Sequence, residues 1–364
     1  MDRNHRLQKG NAMKLLSTLL ATLLAAGVVT GSASSAQARD FTVVGWGGAS
    51  QDRQRLLYFE PFAKEQNIPF KEDTYLGGWG QFQAMQSTGE VPWDVVQVET
   101  AEMIRGCEEG VFAELDWTKL PPKESFIEHA ATKCGAGTIV WAVLLSYNAD
   151  RLKGKEPTGM VDFWDTQKWP GKRAMRQGPK LNLEIALMVD GVPPAEVYKV
   201  LSTKAGVDRA FAKLDKIKPL VQWWKAGAQA PEWLAAGDVE LAISYSARVV
   251  NAQKSGVNLR PIWDNAVYAI DSWVILTKSP HAQIGLKYIN FASNAARQVE
   301  SAKLLPYAPT LLDAVKALPD SVRVNVPAGP NLKTALYGGS PEANEFWVDR
   351  LQELTERWNA WVAK

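Results

Sequence analysis

The chain has 364 residues, of which 46% are hydrophobic and 22% are charged, a composition that is ordinary for a well-packed globular protein. Its 41 Lys and Arg nearly balance its 39 Asp and Glu, and no basic block occurs, so the charge pattern argues against nucleic acid or anionic lipid as a partner. A chain of this length is expected to form two domains.

The N-terminal segment is typical of a secretory signal peptide. Its basic part ends at Lys14, an uncharged apolar run covers residues 15–29, and Ala36-Gln-Ala38 supplies the small residues of a cleavage site. A membrane anchor is the alternative, but the run is shorter than the ~20 residues that a spanning helix needs. We therefore expect a signal peptide over 1–38, cleavage after Ala38, and a periplasmic chain with 37 basic and 38 acidic residues.

Strand and helix patterns alternate along the rest of the chain. A helix is predicted over residues 52–67, with Leu56, Phe59 and Phe62 among its apolar positions. Short apolar strands are predicted at residues 41–46, 68–75, 93–98, 173–175 and 239–244. Alternation of this kind predicts a mainly parallel α/β sheet.

The C-terminal segment carries the clearest helix signal. Ser340 is a suitable N-cap, Pro341 suits the first helical position, and Glu342 favours the helix dipole there. A coiled-coil dimer is one interpretation of the apolar stripe, but the stripe spans only about two heptads, so packing onto the chain's own domain is favoured. The stripe consists of Trp347, Leu351, Leu354, Trp358 and Trp361.

Two cysteines, Cys107 and Cys134, are predicted to form a disulfide, as an isolated pair usually does in an oxidising compartment. The bond would close a loop of roughly 27 residues and stabilise the fold by about 3 kcal/mol. The spacing fits neither a redox motif nor a zinc motif, and the histidines (His5, His129 and His281) are scattered. We expect no metal and no cofactor.

The stretch Val43-Val-Gly-Trp-Gly-Gly48 resembles the family 1 extracellular solute-binding proteins of ABC importers. The resemblance is close to the spermidine/putrescine-binding type, with a 4-aminobutyrate-like subgroup as an alternative. It extends over nearly the whole chain after residue 38, and the order and spacing of the matching segments carry it. These segments are residues 58–65, 93–96, 105–110, 137–141, 269–272, 288–291 and 306–309.

The resemblance implies an α/β type II periplasmic-binding-protein fold, in which two α/β lobes joined by two crossing segments enclose a ligand cleft. The crossings are expected near residues 141–148 and 268–277. Lobe one would then comprise residues 39–145 and 272–318. Lobe two would comprise residues 146–271 and 319–364.

Asp271 is the main candidate for binding a ligand ammonium group, since the resemblance implies this role for the matching acid. The residue lies in Tyr268-Ala-Ile-Asp-Ser-Trp273, and an acid among apolar and aromatic neighbours is costly to bury unless a cation pairs with it. An acid held by a backbone turn is the alternative. Glu99 is a second candidate for the amine, with an ordinary exposed loop acid as its alternative.

Arg248 is the candidate for a ligand carboxylate, because its planar fork suits that group. The segment that matches an acidic cluster of the polyamine-binding relatives offers Arg176, Gln177 and Lys180 instead, with no acid before Glu184. Such a site suits a zwitterion such as 4-aminobutyrate better than a polyamine. Salt bridges without a binding role are the alternative for Arg176 and Arg248.

Aromatic walls and a glycine turn complete the predicted ligand site. Backbone N–H groups at Gly47 and Gly48 could approach the anionic end of a ligand. Aromatic faces attract ammonium groups and exclude water, although any single Trp is more often a core residue. The expected wall residues are Trp46, Trp79, Tyr245, Trp273 and Tyr307.

The function expected from these patterns is capture of a small amine-bearing ligand by lobe closure and its delivery to the membrane permease of an ABC importer. The chain is expected to act as a monomer without catalytic residues. A periplasmic hydrolase is the alternative, but neither G-x-S-x-G nor H-E-x-x-H occurs. A relative that binds thiamine or ferric iron is a further alternative, although the paired tyrosines usual in iron binders are missing from the sequence.

Overall fold

A computed structural model describes residues 39–154 and 156–364 of the chain. The predicted signal peptide lies outside the described residues. Within that described part, no helix is both long and apolar enough to cross a bilayer.

Within residues 39–154 and 156–364, the strands join into one nine-stranded sheet. Their order across the sheet is the second, first, third, eighth, fourth, seventh, fifth and sixth strand, and the ninth pairs with the eighth. The strands are β1 (Phe41–Gly45), β2 (Phe70–Thr74), β3 (Val95–Glu99), β4 (Ala136–Asn148), β5 (Arg173–Arg176), β6 (Val221–Trp224), β7 (Leu241–Tyr245), β8 (Leu259–Ile275) and β9 (Leu336–Tyr337).

Helices connect most of these strands. They are α1 (Gly48–Gln54), α2 (Glu60–Gln66), α3 (Gly80–Thr88), α4 (Thr100–Glu108), α5 (Ala149–Leu152), α6 (Asn182–Val189), α7 (Val197–Leu201), α8 (Lys204–Asp215), α9 (Gln229–Ala236), α10 (Ser246–Lys254), α11 (Ala282–Ala292), α12 (Ala295–Leu304), α13 (Leu312–Lys316), α14 (Asp320–Arg323) and α15 (Pro341–Val362).

Strand directions bear out the prediction of a mainly parallel sheet only in part. In the described residues the pairs β1–β2, β1–β3, β5–β6, β5–β7 and β8–β9 are parallel, but the central pairs β3–β8, β4–β8 and β4–β7 are antiparallel. The reason lies in β4 and β8, which are 13 and 17 residues long. Strand β4 runs from the part of the sheet that contains β1–β3 to the part that contains β5–β7, and β8 runs back. The two strands therefore have opposite directions.

A helix follows β1 as predicted, but it starts earlier and is not regular. Helices α1 and α2 are continuous through a π-helical turn at Arg55–Phe59, in which the Glu60 N–H donates to the carbonyl of Arg55. Pro61 explains the irregularity, because it has no N–H to donate to the carbonyl four residues before it. The wider turn rotates α1 relative to α2 and changes which side chains of α1 face inward.

The hydrophobic core separates into two sets of clusters. One set contains buried residues from 41–140 and 270–328, and the other contains buried residues from 143–267 and 336–358. Strands β4 and β8 contribute to both sets, so they pass from one core to the other. The exact lobe boundaries stay a prediction.

The last helix, α15, begins as predicted, with the Ser340 hydroxyl accepting from the Ala343 N–H at 3.1 Å. Trp347, Leu354 and Trp358 pack into the second core, which confirms that α15 packs onto the chain itself. Leu351 is 45% exposed, so its place in the buried stripe was wrong. At 100° per residue it lies at one edge of the stripe, whereas the buried face extends towards the opposite edge.

The predicted disulfide is present between Cys107 and Cys134, whose Cα atoms are 5.7 Å apart. It links α4 to the loop that enters β4. The bond therefore ties together two segments that lead into the centre of the sheet.

Candidate ligand-binding site

A cavity of about 240 Å³ lies at the ends of strands β1, β3 and β7, beside the long strands β4 and β8. Larger hollows of about 600, 620 and 290 Å³ occur elsewhere in the described residues, beside α2 and α11, beside α3 and between α7 and α15, and none of the three contains a predicted site residue. Six of the predicted ligand residues line the first cavity: Trp46, Glu99, Tyr245, Arg248, Asp271 and Tyr307.

Strand topology explains why these distant residues meet. Trp46 follows β1, Glu99 closes β3 and Tyr245 closes β7, so all three stand at carboxyl ends of strands that belong to parallel pairs. Ligands in open α/β sheets bind at such ends. The long strands β4 and β8 run past the same point and contribute Trp141 and Asp271 from their interiors.

Asp271 is only 4% exposed, and its carboxylate is held by neutral donors. Trp46 Nε1 and Gln97 Nε2 donate to Oδ2, and Trp141 Nε1 donates to Oδ1, each at 2.9 Å. No Lys or Arg of residues 39–154 and 156–364 forms an ion pair with it. The alternative of an acid held by a backbone turn does not describe this geometry, because side chains supply the three donors.

Burial and, second, the negative charge of Glu99 raise the pKa of Asp271 from 3.8 to about 8, while the three hydrogen bonds oppose the shift. Glu99 stands directly opposite Asp271 in the ladder between β3 and β8. Like charges in such a cross-strand pair repel each other. The pair therefore favours either a proton or a positively charged group from outside the chain.

Glu99 is itself partly matched by a cation. Lys180 Nζ lies 3.9 Å from Glu99 Oε2, and both side chains are partly exposed to solvent. The lysine does not line the 240 Å³ cavity but a separate small pocket, which shares Glu99 and Trp141 with it. Asp271 is thus the acid of the cavity that has no cationic partner in the described chain.

Groups suited to an anion face the same cavity from helix α10. Its first three residues, Ser246, Ala247 and Arg248, line the cavity, and no side chain caps the helix start. Ser246 is 1% exposed, and its hydroxyl has no hydrogen-bond partner in the described chain. Free N–H groups at a helix start, a hydroxyl and a guanidinium together form a setting that favours a carboxylate.

Trp273 was predicted to line the cleft, and the structure corrects this. It is 1% exposed and packs against Phe59 and Tyr288, with ring centroids 6.4 and 5.4 Å away. Residues two apart in a strand share a face, so Trp273 lies on the same side of β8 as Asp271. It stands one step further from the cavity, where α11 and the helix after β1 cover it.

Four other predicted residues do not line the cavity. Trp79 packs against Phe82 in a core cluster. Gly47 and Gly48 form the turn into α1 with φ of 74° and 56°, and the Gly47 N–H donates to Gln51 Oε1 at 3.0 Å. Arg176 closes β5, near Tyr245 but outside the lining.

Sequence reasoning missed Gln97, Trp141, Ser50, Ser246 and Arg53. The two-residue period of β3 could have found Gln97, because it shares a face with Glu99. Trp141 ends one of the segments on which the resemblance rested. No sequence signal identified Arg53, a buried arginine of α1 behind Ser50 and Tyr307.

Known proteins resemble this chain over most of its length. A gamma-aminobutyric acid-binding protein of Pseudomonas aeruginosa is 39% identical over 338 residues, which is 93% of this chain and 95% of the relative. The solved Atu4243–GABA receptor superimposes with a TM-score of 0.78 at 28% identity and covers 90% of this chain and 98% of its own.

A further solved structure, an ABC transporter substrate-binding protein of Bradyrhizobium japonicum, gives a TM-score of 0.78 at 29% identity. It covers 88% of this chain and 98% of its own. These likenesses confirm the two-lobed α/β fold of periplasmic binding proteins. The family model of bacterial extracellular solute-binding proteins matches residues 58–334, and the chain belongs to this family.

Proposed function

We propose that this solute-binding protein captures 4-aminobutyrate, or a closely similar ω-amino acid, and delivers it to the permease of an ABC importer. The names of the Pseudomonas relative and of the Atu4243 receptor support this ligand. A polyamine is the alternative that the sequence left open.

The observation that carries the proposal is the pairing of opposite charges in one cavity. Asp271 offers a buried acid without a cationic partner, which suits an ammonium group. Arg248, the Ser246 hydroxyl and the start of α10 suit a carboxylate. A molecule with an amine at one end and a carboxylate at the other satisfies both sides.

Aromatic side chains favour the same ligand. Trp46, Trp141, Tyr245 and Tyr307 line the cavity, and the rings of Trp141 and Tyr245 meet edge to face with centroids 5.9 Å apart. Such walls exclude water and attract an ammonium group. A polyamine would require a second acid, and Lys180 partly neutralises Glu99, the remaining acid of the cavity.

Capture is proposed to occur by closure of two lobes, about 39–145 with 272–318 and about 146–271 with 319–364. The strands β4 and β8 pass between the two cores, so they are the segments about which the lobes would rotate. We propose that the protein works as a periplasmic monomer after cleavage behind Ala38. It would act as a carrier, returning its ligand chemically unchanged.

A ligand panel tests this proposal. The purified protein is titrated calorimetrically with 4-aminobutyrate, α-amino acids, putrescine, spermidine, thiamine and ferric iron. We expect 4-aminobutyrate to bind with about −8 kcal/mol, which corresponds to a micromolar Kd. At about 100 times its Kd it should stabilise the fold by about 2.7 kcal/mol. Tighter binding of any other member, or chemical conversion of the ligand, contradicts the proposal.

A further inference from the structure

Arg53 is a buried cation that the proposed binding mode does not use. Its side chain is 4% exposed, and its Nε and Nη1 have no hydrogen-bond partner in the described chain. Nη2 reaches the Ser50 hydroxyl at 3.4 Å, a long contact. A buried charge without a counter-charge destabilises the fold, which points to a functional role for Arg53.

The irregular helix after β1 explains how an arginine comes to lie inside. The π-helical turn at Arg55–Phe59 rotates α1 relative to α2, and α1 buries Gln51, Arg53 and Gln54. Gln51 and Gln54 have side-chain partners, Glu72 and Gln97 respectively. Arg53 is the only charged side chain of these three, and it has no close acidic partner in the described part of the chain.

Arg53 acts on the cavity through two of its lining residues. Its guanidinium carbon lies 5.5 Å from the centre of the Tyr307 ring, and Ser50 is its hydrogen-bond partner. Tyr58 and Tyr288 are further neighbours, and Asp271 is the acid whose charge acts on Arg53 from a longer range. The wall formed by Ser50 and Tyr307 therefore has a buried positive charge behind it, which no acid of the described residues contacts directly.

The charged side chains around the cavity leave a surplus of positive charge. Glu99 and Lys180 offset each other, Asp271 contributes one negative charge when ionised, and Arg53 and Arg248 contribute two positive charges. In a site of low dielectric constant such a surplus attracts an anionic group and repels a second cation. Arg248 lies at the exposed rim, whereas the charge of Arg53 cannot be screened by water.

We propose that Arg53 is a positioning residue that acts through Ser50 and Tyr307. It selects ligands that carry a carboxylate as well as an amine, and it rejects polyamines. The proposal rests on the proposed function, and it adds a specificity determinant to the binding site. The chemistry it selects is a zwitterion whose anionic end meets Arg248 and the start of α10 close to Tyr307, on which the charge of Arg248 also acts.

The test compares ligands of different charge on the purified protein and its Arg53→Met, Arg53→Gln and Arg53→Lys variants. Calorimetry gives the Kd of 4-aminobutyrate, of butylamine, which lacks the carboxylate, and of putrescine. In Arg53→Met and Arg53→Gln we expect 4-aminobutyrate to weaken by about tenfold, the size expected of a unit charge acting across a low-dielectric wall. Butylamine and putrescine should bind as before or more tightly, and Arg53→Lys should keep the wild-type preference.

Arg297→Met is the matched control, because Arg297 also lies over an aromatic ring, that of Phe291, but lines a different hollow and not the 240 Å³ cavity. It should change no Kd. An equal weakening of all three ligands in both neutral variants would show that Arg53 only supports the fold, and unchanged affinities would also overturn the proposal. Failure of the wild-type protein to bind 4-aminobutyrate is a different result, which contradicts the proposed function itself.

Discussion

Asp271 receives its hydrogen bonds from two indoles and an amide rather than from a cation. The sequence predicted a buried acid at this position, but it could not predict the three donors, because they come from β3, β4 and the residue after β1. The same limitation applies to Arg53, whose inward direction depends on the π-helical turn. Trp273 shows the opposite error, since a residue two positions from the key acid was assigned to the site although neighbouring rings cover it.

Binding should depend on pH because of Asp271. In the ligand-free protein its pKa is raised to about 8 by burial and by Glu99, so at pH 6 the carboxyl group is mostly protonated. An ammonium ligand requires the ionised form, and therefore binding should release a proton below about pH 8. The affinity for 4-aminobutyrate should rise from pH 6 to pH 8, since the ligand amine keeps its proton until about pH 10.

Calorimetry in buffers of different ionisation enthalpy measures the proton release directly. Other charged or titratable groups around Asp271 are Glu99, Arg53, Tyr245 and Tyr307. Asp271→Asn removes the titrating group, so its residual binding should be much weaker and independent of pH over this range. An affinity of the wild-type protein that stays constant from pH 6 to pH 8 would refute the coupling.

The stability of the fold should change with pH in the direction opposite to the change in ligand affinity. An acid whose pKa is higher in the folded state than in the unfolded state gives stability that is lost as pH rises from about 4 to about 8. We expect Asp271→Asn to melt at pH 8 no lower than the wild-type protein, although it loses the ligand. A strongly lowered melting temperature would instead assign Asp271 a structural role.

Arg248→Ala is the corresponding test of the carboxylate side. We expect the affinity for 4-aminobutyrate to fall by roughly tenfold to a hundredfold, the range of a lost hydrogen bond to a charged group. A diamine or monoamine should bind as it does to the wild-type protein, because it has no carboxylate to lose. Arg260→Ala is a control on the exposed end of β8. Binding of 4-aminobutyrate to Arg248→Ala with wild-type affinity would exclude the carboxylate assignment.

At the scale of elements, the individual strands and helices were predicted better than their arrangement. The strands from 41, 68, 93, 173 and 239 are all present within a few residues of the predicted bounds. The antiparallel centre was missed because β4 and β8 are buried along most of their length, and such strands show no alternating pattern. The early start of α1 was missed because Gly48 to Gln51 carry no apolar periodicity.

The disulfide gives a prediction at this scale. Replacing Cys107 and Cys134 together by serine should lower the free energy of unfolding by about 3 kcal/mol, since a loop of this length then regains its freedom in the unfolded chain. Denaturant titration of the oxidised wild-type protein and the double variant measures the difference. The ligand Kd should change little, because neither cysteine lines the cavity. Equal denaturation midpoints would show that the bond does not stabilise the fold.

At the scale of the whole molecule, the resemblance of many short segments predicted the two-lobed fold that the comparisons confirm. Composition and charge alone indicated only an ordinary globular protein and argued against nucleic acid or anionic lipid as a partner. The position of the site followed from the resemblance, since the residues that meet there are up to 261 positions apart, as Trp46 and Tyr307 are. The electrostatic arrangement of the site required the three-dimensional structure, because no local pattern relates β8 to the first turns of α10 and α1.

A crystal structure of the protein with 4-aminobutyrate is the most direct test of whether one enclosed cavity binds both ends of a zwitterion. We expect the ligand amine within hydrogen-bonding distance of the Asp271 carboxylate. Its carboxylate should meet Arg248 and the N–H groups that begin α10. A ligand bound in the reverse direction, or a closed complex in which Arg248 points into solvent, would contradict this binding mode.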